Sequence, residues 1–186
     1  MAFDIERPGS PELNAVCPAS TRKLWLSVIK VRPEQPQDEA FLFELYASTR
    51  QEELDAWGWP SEMRSAFLAL QFKASQGHHH AFPDAEFKIV LLDGVNAGRL
   101  IINRTREELR VVDISLLPQF RNSGLGSALL QRIFGEAAAS KKPLRLKVLR
   151  RNRAARLYQR LGFVKTSDSE MYLEMEWRAP ADSPGR

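Results

Sequence analysis

Arg121, Gly124 and Gly126 stand in the run Val111–Leu130, VVDISLLPQFRNSGLGSALL, where spacing and residue type suit the binding of a phosphate. The run begins with β-branched Val111, Val112 and Ile114, which predict a strand, and Pro118 halts it. Leu125, Leu129, Leu130 and Ile133 then recur at helical spacing. A helix start offers unpaired N–H groups and the positive end of its dipole. Glycine at 124 and 126 lets an anion approach the backbone closely, and Arg121 adds a charged fork. The alternative is a plain strand-to-helix turn. The run lacks the Gly-Lys-Ser/Thr of the ATPase P-loop, and GLGSAL is not the GxGxxG of a dinucleotide fold.

A second group lies in Arg150–Phe163, RRNRAARLYQRLGF. Asn152 can cap a short helix whose inner side is Ala155, Leu157, Tyr158 and Leu161, and Gly162 ends it. Tyr158 is either a packed aromatic or a proton donor. Trp57 and Trp59 flank Gly58 beside Glu52, Glu53 and Asp55. Both rings cover the end of the core, or at least one of them walls a pocket. Gly77-His78-His79-His80 holds every histidine of the chain. Consecutive histidines point in different directions, so a solvent-facing loop is expected there and no metal site.

These groups need elements to hold them. Leu24–Ile29 reads as a first strand ending before Pro33, followed by a turn at 36–38. Phe41, Leu42, Leu45 and Tyr46 then share one helix face. Pro60 opens a second helix with Met63, Phe67, Leu70 and Ala74 on one face, reaching about Ser75. Strands are expected over Phe87–Leu92, Gly94–Ile102 and Leu109–Leu117, the first two joined by an Asp93-Gly94 turn. The helix after the glycines should end near Ser140, before Lys141, Lys142 and Pro143. Leu144–Leu149 alternates as a strand, expected to run parallel to 109–117, and 164–166 with 171–177 closes a hairpin.

The 186 residues suit one domain over 23–178, with a loosely ordered leader at 1–22 and a frayed tail at 179–186. No stretch approaches the roughly 20 apolar residues of a membrane span, and the first nine are too charged for a signal peptide. The single cysteine, Cys17, excludes an internal disulfide and makes the cytoplasm the expected compartment. Residues 1–93 carry 9 Lys/Arg against 14 Asp/Glu, whereas residues 94–186 carry 18 against 9. The glycine turn thus lies in the basic part, which suits a polyanionic ligand. Nucleic acid is disfavoured, because no zinc-finger spacing or RNA-binding aromatic motif is present.

Together the two runs resemble the GCN5-related N-acetyltransferases (GNAT). Arg121, Gly124 and Gly126 match the family's Arg/Gln-x-x-Gly-x-Gly/Ala, and Asn152, Ala155, Tyr158, Gly162 and Phe163 resemble its second motif. The resemblance covers about residues 24–178. It implies an α/β (α+β) fold: a mixed, mostly antiparallel central sheet flanked by helices, with a splayed parallel strand pair holding the cofactor. It also implies that the amides of Asn122, Ser123, Gly124, Leu125, Gly126 and Ser127, with Arg121 beside them, cradle the pyrophosphate of acetyl-CoA. The backbone of Leu116 and Leu117 would bond the pantetheine arm, which Asn152 and Ala155 would contact, and Tyr158 would protonate the departing thiolate. Many family members read Arg-Gly where this chain has Asn122-Ser123, a departure expected to stiffen the turn.

The expected reaction is transfer of acetyl to an amine by direct attack in a ternary complex, without a metal or an acetyl-cysteine. Asp113, Glu108 or a water could serve as base. Glu52, Glu53, Trp57 and Trp59 are the expected acceptor pocket. The acceptor is a small-molecule amine, a cationic one being favoured by the acidic N-terminal half, or a protein amino group; monomer and homodimer stay open. The alternative is a catalytically silent acyl-CoA-binding or sensing domain.

Overall fold

Asp93 and Gly94 both take positive φ, 52° and 85°, the turn geometry that matches the twist of paired strands. They join β2 (Ala85–Leu92) to β3 (Val95–Arg104), and β3 turns back into β4 (Leu109–Leu116). This computed structural model describes residues 28–79, 82 and 84–180. The leader, Cys17, Leu24–Ser27, His80 and residues 181–186 lie outside the described residues. β1 spans Ile29–Pro33 and pairs antiparallel with β2. The first strand therefore runs through Pro33 instead of stopping before it. As an edge strand, β1 tolerates a residue without an N–H donor.

The sheet has seven strands in the order β1-β2-β3-β4-β5-β7-β6, with β5 at Leu144–Leu149, β6 at Val164–Asp168 and β7 at Tyr172–Trp177. Every neighbouring pair is antiparallel except β4 and β5. Those two are parallel over Leu109↔Leu144, Arg110↔Arg145 and Val111↔Leu146 only. Beyond that point both strands continue unpaired with each other, so a slot opens between them.

Adjacent residues of β2 show how the sheet is covered. Val90 packs in the cluster formed with α3 (Leu125–Ser140) and α4 (Ala154–Arg160), whereas Ile89 packs with Leu42 of α1 (Glu39–Trp57) and Phe72 of α2 (Ser61–His79). Alternate residues of a strand face opposite sides, so the two helix pairs lie on opposite faces. In α3 the expected stripe is buried: Leu125, Leu129, Leu130 and Ile133, with Phe134 and Ala137.

α2 departs from its expected face. Met63 and Leu70 are exposed, at 53% and 75%. Phe72 turns inward, edge-on to Phe43 at 5.5 Å and tilted on Tyr46 at 5.7 Å, while Phe67 meets Trp57 and Trp59. The aromatic rings of α1 select the buried side of α2, which its own periodicity does not reveal. The helix also continues through Gly77, His78 and His79, so these residues are not a loop. None of the described helices is long and apolar enough to cross a membrane.

Gly98 of β3 lies opposite Leu116 in the ladder. A Cβ there would strike the Ser115 carbonyl and stand 2.7 Å from Leu116 Cδ2. Gly98→Ala is accordingly expected to destabilise the fold by about 3 kcal/mol, read as a lower denaturant midpoint at unchanged slope. An unchanged midpoint would show that the strands have room to part.

Candidate active site

The site is organised by a bulge in β4. Ile102 pairs with Val111 but Ile101 pairs with Asp113, so Val112 is an extra residue. Leu109 and Val111 are buried in the α3 and α4 cluster, and beyond the bulge Ile114 and Leu116 pack against the same cluster. Asp113 and Ser115 consequently face α1 and α2. Without the extra residue, Asp113 would share the face of Val111. The side of the sheet that Asp113 occupies, left open by the sequence pattern, is decided by the bulge.

Asp113 receives Arg99 Nε at 3.0 Å and the Ser115 hydroxyl at 2.9 Å. Arg99 is 5% exposed and comes from β3. These three side chains, with Tyr46, Thr49 and Arg50 of α1 and Ser75 of α2, line a cavity of about 200 Å³. Across the slot, on α4, Tyr158 is buried against Phe163. Its phenol is pushed up to about 12, chiefly by burial and then by the negative charge of Asp113.

The cradle lies at the end of the same slot. Gly124 caps α3 with φ 89° and has no side chain to cap the helix, and Ser123 Oγ accepts from the Leu125 amide at a long 3.4 Å. No acidic residue stands in the first turn of α3, so its dipole end is not neutralised locally. Asn122 takes φ 56°, a left-handed conformation that asparagine tolerates better than most residues. Ser123 has no positive φ, and its hydroxyl donates to the Phe120 carbonyl at 2.7 Å. The departure at Asn122-Ser123 therefore fits the turn without a glycine at 123.

Gly126 is informative in another way. A Cβ there would meet only Leu116 Cδ1 at 3.9 Å and Leu157 Cδ2 at 4.0 Å, which is ordinary contact. The packing of the protein does not require glycine at 126. A bare backbone at this position leaves the first turn of α3 open to the approach of an anion.

Arg121 is not a free fork beside this turn. Its Nε donates to the Leu116 carbonyl at 2.7 Å, and Nη2 reaches Ser48 Oγ at 2.9 Å, so it ties the turn to α1. Leu117 has its amide on the Ala97 carbonyl at 2.9 Å, and its own carbonyl accepts from Phe120 at 2.9 Å. Its backbone is thus committed within the fold and offers no donor to a pantetheine arm. Asn152 Oδ1 accepts from the Ala154 amide at 2.9 Å, which fixes the orientation of its side chain at the start of α4, and Ala155 is buried one turn on.

Glu108 sits at the opposite end of β4 from the cradle. Its carboxylate takes Arg110 and Arg145, each at 2.7 Å, in an ion-pair network with Glu176. The extended chain from Glu108 to Asp113 covers roughly 16 Å, so the two carboxylates do not act at one point. Glu52 and Glu53 lie on the exposed side of α1, Glu53 pairing with Arg50 at 3.1 Å. Trp57 and Trp59 meet in a tilted pair at 4.8 Å and both lie edge-to-face with Phe67, where α1 meets α2. None of these four lines the 200 Å³ cavity. Sequence reasoning passed over Arg99, Arg50, Tyr46 and Ser115. The available signal was an arginine within the apolar middle of β3, one strand from the only aspartate of β4.

The family model described as acetyltransferase (GNAT) domain matches residues 83–165, from β2 through the cradle and α4 to β6. A comparison with curated proteins finds no match. Among solved structures, the PaiA N-acetyltransferase of Thermoplasma acidophilum in complex with coenzyme A is 18% identical, with TM-score 0.60 over 82% of this chain and 99% of that one. An acetyltransferase from Thermus thermophilus is 16% identical, with TM-score 0.59 over 81% and 97%. The PseH N-acetyltransferase of Campylobacter jejuni in complex with acetyl coenzyme A is 17% identical, with TM-score 0.52 over 82% and 100%. At such identities the structural likeness speaks for the fold. Joined to the sequence match over residues 83–165, it supports membership of the GNAT acetyltransferase family.

Proposed function

We propose that the protein is an acetyl-CoA-dependent N-acetyltransferase that passes the acetyl group directly to an amine in a ternary complex. The observation that carries this reading is the slot between β4 and β5, with the uncapped start of α3 following β4. Acetyl-CoA would supply the activated thioester. The amides around Gly124, Leu125, Gly126 and Ser127 hold its pyrophosphate by dipole and hydrogen bond. Asp113, oriented by Arg99 and Ser115, draws the acceptor's ammonium to the slot and positions the water that takes its proton. Tyr158 stays protonated throughout the physiological range and donates to the sulfur as negative charge develops there.

Calorimetric titration with acetyl-CoA and, separately, with CoA tests this reading. Saturable one-to-one binding of both is expected. Folded protein that binds neither would remove the enzyme reading altogether. Binding without acetyl transfer to any amine of a broad panel would favour a sensing domain.

A further inference from the structure

The cavity beside Asp113 carries a charge balance that bears on the acceptor, if the acetyl-transfer reading above holds. Two guanidiniums, Arg50 and Arg99, and one carboxylate, Asp113, line it. Arg99 pairs with one oxygen of Asp113 at 3.0 Å, with side chains 7% and 22% exposed, and the lining carries one guanidinium in excess of its carboxylates. Arg50 has only Glu53 as an ion-pair partner among the described residues, one turn along α1, and that carboxylate is 53% exposed. A pair so open to solvent holds its charge weakly and yields it readily to another anion. Tyr46 and Thr49 stand beside Arg50 on the same wall, the Thr49 hydroxyl donating to the Tyr46 carbonyl at 2.7 Å. The acidic side chains Glu52 and Glu53, which would favour a polycation, do not line the cavity.

We propose that the acceptor is a small amine that also carries a carboxylate, of the amino-acid type. Its amino group lies at Asp113, and its carboxylate is taken by Arg50. A guanidinium presents two parallel donors matched to the two oxygens of a carboxylate. A polycationic acceptor would bring further positive charge against Arg50 and Arg99. A volume of about 200 Å³ also lies below the range of drug-sized ligands, so the site takes a small molecule or the end of a larger one.

The test uses the whole chain with saturating acetyl-CoA and measures CoA release for matched pairs: glycine with methylamine, β-alanine with ethylamine, L-leucine with isopentylamine. The carboxylate-bearing partner is expected to have kcat/KM roughly 10- to 100-fold higher in at least one pair, the range for a charge-assisted bond. Arg50→Gln should bring that ratio towards one and Arg50→Glu should reverse it. Acetyl-CoA affinity, measured by calorimetry, should stay at the wild-type value in both variants. Plain amines that serve as well or better in every pair overturn the proposal and leave the acetyl-transfer reading intact. A preference that survives Arg50→Gln does the same. Where no member of the panel turns over, NMR titration of the CoA-loaded protein with β-alanine and L-leucine decides. Binding that Arg50→Gln abolishes supports the proposal, and absence of binding overturns it. Failure of acetyl-CoA itself to bind overturns the acetyl-transfer reading, and this one with it.

Discussion

Gly126→Asp is expected to leave the fold intact and to weaken acetyl-CoA binding at least 100-fold. The two effects separate because the site has room for a side chain. A Cβ at 126 meets only methyl carbons at 3.9 and 4.0 Å, and an acidic residue in the first turn of a helix favours the helix. The thermal midpoint should therefore stay within a few degrees of wild type. The carboxylate, however, lies where a doubly charged pyrophosphate is to sit. Like charges about 4 Å apart near a protein surface repel by roughly 4 kcal/mol, more than enough for a 100-fold loss. Gly126→Ala serves as the control, adding bulk without charge, and should bind within about 5-fold of wild type. Gly124 is less useful, because φ 89° there would strain any other residue and confuse binding with folding. Calorimetry on the two Gly126 variants checks the expectation. A folded Gly126→Asp protein with wild-type affinity would put the phosphate site elsewhere.

How far the sequence could be read depends on whether the deciding interactions are local. The Asp93-Gly94 turn, the exit from β4 into the glycines and the stripe of α3 are all set within a few residues, and each is found where its residue types place it; Asn152 holds the Ala154 amide, but the cap position of α4 falls on Arg153. The parallel pairing of β4 with β5 follows from the helix that connects them. The bulge at Val112 is different. Counting back from Arg104↔Leu109, an unbroken ladder would put Arg99 opposite Ile114, whereas the structure puts it opposite Ser115. That one-residue shift sends Asp113 and Ser115 to the α1 face and assembles the Arg99–Asp113–Ser115 cluster. Nothing in VVDIS marks which residue is the extra one. The inward face of α2 was hidden for a related reason: it is chosen by Phe43, Tyr46, Trp57 and Trp59, residues of another segment. The tryptophans read as a pocket wall meet each other and Phe67, with Trp57 still 48% exposed. The cofactor side of the site is thus written locally, and the acceptor side is written in contacts between segments.

Tyr158→Phe is expected to lower kcat about 100-fold while changing acetyl-CoA affinity less than 3-fold, a loss at the low end for a positioned acid. The substitution removes only the hydroxyl from a ring packed against Phe163, so the α4 core should survive it. The pH dependence follows from the same burial. A donor works only while it holds its proton, and a phenol raised to about 12 holds it well past the range of an ordinary tyrosine. The wild-type rate should rise with pH as the acceptor amine loses its proton, and Tyr158 should impose no fall below about pH 11. Proton transfer from this phenol to a free thiolate, whose conjugate acid lies near 8.5, is uphill by roughly 3 to 4 units. The hydroxyl therefore acts by hydrogen-bonding the sulfur while the carbon–sulfur bond breaks, not by protonating it beforehand. Asp113 reinforces this arrangement, because its negative charge opposes ionisation of Tyr158 and keeps the donor form in place. Rate profiles of wild type and Tyr158→Phe over pH 6 to 11 provide the check. Equal turnover at every pH would reduce Tyr158 to a packing residue and leave the thiolate to be stabilised by solvent or by backbone amides.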